Sequence, residues 1–175
     1  GIYFKLNSFI FMPVFGLNNG VVPIVAYNYG AQNRLRMVET IKRSTIYASC
    51  IMVLGVIIFW AIPGPLLKIF DATDTMLQVG VPALRIISLS FCMAGACIAL
   101  GSSFQALGKA VYSMTTSIIR QLVFLVPIAY VLARYGHSIG NDDLVWWSYP
   151  LAEIASLLVT LVFFRRLYRT LIAPL

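Results

Sequence analysis

The chain has 175 residues, 60% of them hydrophobic and only 11% charged, with a mean hydropathy of +0.87. Globular domains carry about 25% charged residues, so a soluble domain is excluded. The net charge of +7 is scattered between long apolar runs, which points to membrane orientation and away from nucleic acid.

A bilayer core about 30 Å thick needs roughly 20 apolar residues per helical span. Five stretches qualify, at about residues 6–29, 44–63, 79–104, 115–133 and 147–164. The first contains "FMPVFGLNNGVVPIVAYNYGAQ", with Pro13, Gly16, Asn18, Asn19, Gly20, Pro23 and Asn28. A helix built only for stability avoids these residues, since proline removes a backbone donor and glycine costs about 1 kcal/mol against alanine. The expected structure is a broken or bent helix, with Pro13, Gly16, Gly20 and Pro23 as hinges. Asn18, Asn19 and Asn28 are expected to face inward, with Tyr27 or Tyr29 offering an aromatic surface to a cation. The alternative for the amides is hydrogen bonding to neighbouring helices. The chain opens on "GIYFKLNSF", without an initiator Met or a basic leader, and reads as a piece of a larger membrane protein.

Between the first two spans lie Arg34, Arg36, Lys42 and Arg43 against Glu39, a net of +3. The segment before the third span holds Lys68 against Asp71 and Asp74, a net of −1. Thr75 and Gln78 have the spacing of a capping box, so the third helix is expected to begin near Met76 and to bend at Pro82. Gly95, Ala99 and Ser103 recur every four residues as a ridge of small side chains suited to close helix packing. Gln105 ends this span, either as a helix cap or as part of a cytoplasmic gate. Arg120 opens the fourth span near Lys109, where it snorkels to phosphate or joins that gate.

Two ionisable residues lie deep in spans. Glu153 is six residues past Trp147, about 9 Å along the helix. Arg85 lies at a comparable depth in the third span. Each costs roughly 2.5–3.5 kcal/mol at a helix centre, so each needs a partner or a water-filled cavity. We expect them to pair with each other, either as a static tie between helices or as an ion-coupling site at Glu153. Cys50, Cys92 and Cys97 fall in apolar runs, and His137 is the single histidine, so the chain offers no metal-ligand spacing. The positive-inside rule places the 31–43 loop, the Lys109 turn and the tail with Arg165, Arg166 and Arg169 in the cytoplasm. Trp60, Trp146 and Trp147 then fall at the outer interface, an independent sign of the same orientation.

"FMPVFGLNNGVVPIVAYNYGAQNRLR" resembles the second helix of the C-terminal lobe in the multidrug and toxic compound extrusion (MATE) family. "ALRIISLSF", "SSFQALGKAVYSMTTSIIRQLVFLVPIAYVLA" and "VWWSYPLAEIASLLVTLVFF" resemble that family's last three helices in order. The resemblance covers essentially the whole chain and is nearest to the bacterial multidrug branch. It implies an all-α membrane protein whose five helices correspond to helices 8–12 of twelve. Residues 1–175 would then form part of a C-terminal lobe, with the N-terminal lobe as partner. The implied function is export of organic cations in exchange for protons or sodium ions, by alternating access and without a cofactor. The implied setting is the inner membrane, with the C-terminus cytoplasmic. Glu153 inherits the coupling role. The third span has Arg85 where some branches carry an aspartate. A flippase for lipid-linked saccharides is the alternative, and would call for several basic residues in its cavity. An enzyme is not expected, because a nucleophile with a base, paired aspartates and HExxH are all missing.

Overall fold

Backbone groups in hydrocarbon are satisfied within helices, and helices joined by short turns make up this chain. The computed structural model describes residues 1–175. Helix α1 (Ile2–Gly30) and α2 (Arg34–Ala61) are followed by a short α3 (Pro63–Lys68). Next come α4 (Asp74–Ser88) and α5 (Phe91–Ala106). A 30-residue rod, Ala110–Ile139, joins α6 (Ala110–Ile118), a π-helical segment (Ile119–Leu125) and α7 (Val126–Ile139). A 3₁₀ turn (Asp142–Trp147) leads into α8 (Ser148–Leu167), which ends in a π turn (Tyr168–Ile172). Four of these runs are long and apolar enough to cross a membrane, and α4 with α5 makes a fifth. The five expected spans are therefore present.

Three local expectations need correction. The first span is a continuous 29-residue helix, not a broken one. Pro13, Gly16, Gly20 and Pro23 share an exposed stripe, while Leu6, Ile10, Val14, Asn18, Val21, Val25 and Asn28 form the buried one. Prolines on the exposed stripe leave the packed side of α1 undisturbed. The cap of α4 is Thr73, whose Oγ1 accepts from the Met76 amide at 3.4 Å, so the helix starts at Asp74 ahead of Thr75. The third span bends by 49° at Leu89–Ser90, and Pro82 sits inside α4. At the bend the Leu89 and Ser90 amides reach Ile86 and Ile87 oxygens, three residues back, and Ser88 and Ser90 hydroxyls bond nearby carbonyls. These hydroxyls compete with the regular ladder and redirect the chain.

Helices α1, α2 and α5 form the core. Ile10 and Val14 of α1, Met52 and Phe59 of α2, and Leu84, Ile87 and Phe91 pack in one cluster. Phe91 meets Phe11 and Phe59 edge-on, with ring centres 5.4 and 5.3 Å apart. A second cluster joins Val21, Val25, Met37 and Ile41 to Leu100, Leu107 and Ile172. The tail is fastened there by Arg34, which donates to the Tyr168 hydroxyl at 3.0 Å and the Ala173 carbonyl at 3.3 Å. The small-residue ridge packs as expected: Ala99 and Ser103 are fully buried. A Cβ on Gly95 would lie 2.7 Å from Met52 Cγ and 3.1 Å from the Ala48 carbonyl oxygen. Gly20, by contrast, has open space around it. Gly95→Val should lower the melting temperature of the detergent-purified protein, at a cost of about 1–3 kcal/mol from overpacking. Gly20→Ala should leave it unchanged or slightly raised. Equal melting of Gly95→Val and the parent would refute the close α2–α5 contact.

Candidate functional site

A cleft of about 550 Å³ lies between α1, α5, the rod and α8. Its α1 wall is aromatic and amide, with Phe4, Phe11, Phe15, Asn18 and Asn19. The opposite walls are hydroxylic: Ser113, Thr116 and Ser117 recur every three or four residues on α6, as do Ser156 and Thr160 on α8. Such spacing aligns them along one helix face. Most of these hydroxyls already donate to carbonyls of their own helices. Thr116 donates to Ser113 O at 2.8 Å, Ser117 to Ser113 O at 3.0 Å, and Thr160 to Ser156 O at 2.8 Å. Their remaining capacity is as acceptors.

Asn18 fills both roles expected of an amide here. It lines the cleft, and it ties α1 to α5 through Nδ2 to the Ile98 carbonyl at 3.4 Å. The Ser102 hydroxyl lies 3.4 Å from Asn18 Oδ1, though it donates at 2.7 Å to Ala99 O. Asn19 lines the cleft and is exposed. Tyr27 and Asn28 lie outside it. Asn28 is ten residues beyond Asn18, about 15 Å along the helix, and its Nδ2 donates to Ile24 O of its own helix at 2.8 Å. Tyr27 points outward, 77% exposed. Gln105 lines the far end of the cleft and donates to Ser113 Oγ at 3.3 Å.

The expected Arg85–Glu153 pair does not form. Arg85 is exposed on α4, where its carbonyl accepts from the Trp60 indole at 3.2 Å. Glu153 pairs instead with Arg120, Nη1 to Oε1 at 3.2 Å. Arg120 therefore turns into the protein rather than snorkelling to a surface. The cause is local: Arg120 sits on the π segment, whose wider turn re-aims side chains. Pro127, just after it at the start of α7, lacks the amide that a regular helix would use here.

Arg120 also borders a second, smaller cavity of about 170 Å³. That cavity is lined by Tyr3, Asn7, Ser90, Gln121, Tyr149 and Glu153, among others. Two buried oxygens here lack hydrogen-bond partners, Asn7 Oδ1 and Glu153 Oε2. The arrangement can hold a proton, a small cation or water at Glu153 while a larger molecule occupies the cleft. Arg120 stands between the two. Asn7, the hydroxyl rows and the Arg120 pairing were not singled out from the sequence. The signal for the rows was present, as Glu153, Ser156 and Thr160 follow helical spacing on α8.

The family profile described as MatE matches residues 1–131. The chain belongs to this family. It is 27% identical over 153 residues to the multidrug export protein MepA of Staphylococcus aureus strain bovine RF122 / ET3-1. That match covers 87% of this chain and 33% of MepA. The MepA of Staphylococcus haemolyticus strain JCSC1435 is 26% identical, with 87% and 32% covered. The chain thus spans about a third of the length of these relatives. Among solved structures, the MATE multidrug transporter DinF-BH, solved with a drug bound, superposes with a TM-score of 0.81 at 32% identity. That superposition covers 98% of this chain and 37% of DinF-BH. The bent form of Vibrio cholerae VcmN shares the fold alone, with a TM-score of 0.83 at 18% identity over 97% of this chain and 38% of VcmN.

The buried pair leads to a stability test. Arg120→Met strands a carboxylate in low dielectric and should cost about 2 kcal/mol. That lies below the range for a fully buried pair because the Arg120 side chain is 31% exposed. Arg120→Met with Glu153→Leu removes both charges and should recover most of the loss. Thermal melting of the two variants in detergent decides; a double variant no better than the single one contradicts the pairing.

Proposed function

We propose that this chain is the coupling part of a multidrug exporter that expels organic cations in exchange for protons or sodium ions. The observation that carries the reading is the Arg120–Glu153 pair beside a cleft of drug-sized volume, with Glu153 Oε2 unpartnered in an adjoining cavity. The names of MepA and DinF-BH point the same way, and DinF-BH has been seen with a drug bound.

In this reading the coupling ion and Arg120 alternate at Glu153. With the carboxylate ionised, the guanidinium neutralises it and holds α8 to the rod. When a proton or sodium ion takes its place, Arg120 is released and the rod is free to shift. Only an interaction that differs between two arrangements can bias their equilibrium, and this one does. Alternating access follows if the shift changes which side of the membrane the cleft faces, against the lobe that completes the transporter. Pro13, Gly16, Gly20 and Pro23 lie on the exposed stripe of α1, where bending disturbs the least packing. Gln105, bonded across to Ser113, is the gate residue at its end of the cleft. The transporter lies in the inner membrane as a multi-pass protein with its C-terminus in the cytoplasm. For the lipid-linked flippase, the cleft offers only one basic residue, Arg120, and Arg85 lies outside it.

The full-length protein in liposomes, loaded with a fluorescent organic cation, tests the reading. A pH gradient and a sodium gradient are imposed separately, and the one that drives dye names the ion. Glu153→Gln should abolish gradient-driven movement while membrane protein level stays at the parent's. Dye accumulation like the parent's would sink the coupling role. Asn18→Leu with Asn19→Leu should leave the protein in the membrane and cut export several-fold in a drug-resistance assay. Full resistance in that variant would remove the asparagines from the cavity wall.

A further inference from the structure

We infer that Arg120 is a receptor for an acidic group on the ligand, so that the cleft selects amphiphiles carrying a carboxylate or equivalent anion beside their cationic, aromatic body. The inference rests on the reading of the cleft as the substrate site and adds a second chemical requirement to it.

Arg120 is the one charged side chain lining the larger cleft, and no acid lines it. A purely cationic ligand would meet like charge there. The rest of the wall suits the cationic end: Thr116, Ser117 and Thr160 present oxygen lone pairs, having given their protons to carbonyls. Phe4, Phe11 and Phe15 supply aromatic surface for the same end. Donors and positive charge are concentrated at Arg120.

Arg120 is also under-used. Its side chain makes one hydrogen bond in the protein, the single 3.2 Å contact to Glu153 Oε1. A guanidinium has five N–H donors in a fork that matches a carboxylate through two parallel bonds, each about 2.7–2.9 Å when well made. The resident contact is single and long, while the side chain remains 31% exposed. A ligand carboxylate arriving from the cleft would make the bidentate pair that Glu153 does not. Glu153 and the ligand then compete for one guanidinium, and binding of the acid frees Glu153 to accept its ion. Substrate and coupling ion are linked through Arg120.

The test is equilibrium binding to the full-length protein in nanodiscs without any gradient. It uses a cationic xanthene dye in its ethyl-ester form and the same dye with the free carboxylate, followed by fluorescence anisotropy. The parent should bind the acid about tenfold more tightly than the ester, the worth of one charged hydrogen-bonded pair. Arg120→Gln should bring the ratio to about one, and Arg120→Lys, which keeps the charge but loses the fork, should fall between. Glu153→Gln should raise the ratio above the parent's by removing the internal competitor. That variant also decides the matter if Arg120→Gln does not fold. A parent ratio near one, a ratio that survives Arg120→Gln, or a Glu153→Gln ratio no higher than the parent's would overturn the proposal. Dye movement lost in Glu153→Gln liposomes, with these binding ratios unmet, would leave coupling standing and remove only the acid receptor.

Discussion

A carboxylate and a guanidinium held 3.2 Å apart between membrane-crossing helices impose the strongest constraint on this molecule. Neither charge is tolerated in hydrocarbon, so both must be covered by protein or by water. The cover comes from α1, α5 and α8, and the two cavities on either side supply space for water or a ligand. Geometry follows from the same demand. Arg120 reaches Glu153 from a neighbouring rod because the π segment turns it inward, and the hydroxyl rows on α6 and α8 continue the polar strip that it begins.

Much of this arrangement was legible in the sequence. Hydrophobic length alone fixes five crossings, and four-residue recurrence of Gly95, Ala99 and Ser103 marks the face that α5 lays against α2. The cost of an acid in a span identifies Glu153 as a residue needing a partner. The partner itself was not legible. Arg85 and Glu153 lie at similar depth along their helices, but depth says nothing about azimuth, and Arg85 faces outward. Arg120 reads from its position as a residue at a helix end, because a π-helical insertion leaves no clear trace in the residue pattern. Only Pro127, seven residues on, hints that the helix is irregular there.

The first span shows the same limit from the other side. Proline and glycine in an apolar run suggest a break, yet α1 is continuous for 29 residues. What matters is the stripe on which they fall. The packed stripe of α1 carries branched aliphatics and two amides, and the open stripe carries the prolines and glycines. One helix therefore serves as core support along one side and as a pliable, partly polar cavity wall along the other. The third span reverses this, since its break is real but is produced by serines at Ser88 and Ser90 competing for carbonyls.

Packing is distributed unevenly, and the imbalance bears on movement. Helices α1, α2 and α5 share two buried clusters, whereas the rod Ala110–Ile139 buries only Thr116 and Gly136. Sub-global rearrangement draws on the regions with fewest buried apolar contacts. Glu153 belongs to α8, which is anchored by Ala152, Ser156, Thr160 and Leu167. Arg120 belongs to the rod. The pair thus joins the better-anchored wall to the least-anchored one, so breaking it need not disturb the core. A charge contact placed across that boundary concentrates into one bond much of what holds the rod in place, and an ion or an acidic ligand that competes for the bond acts where the least packing opposes a shift.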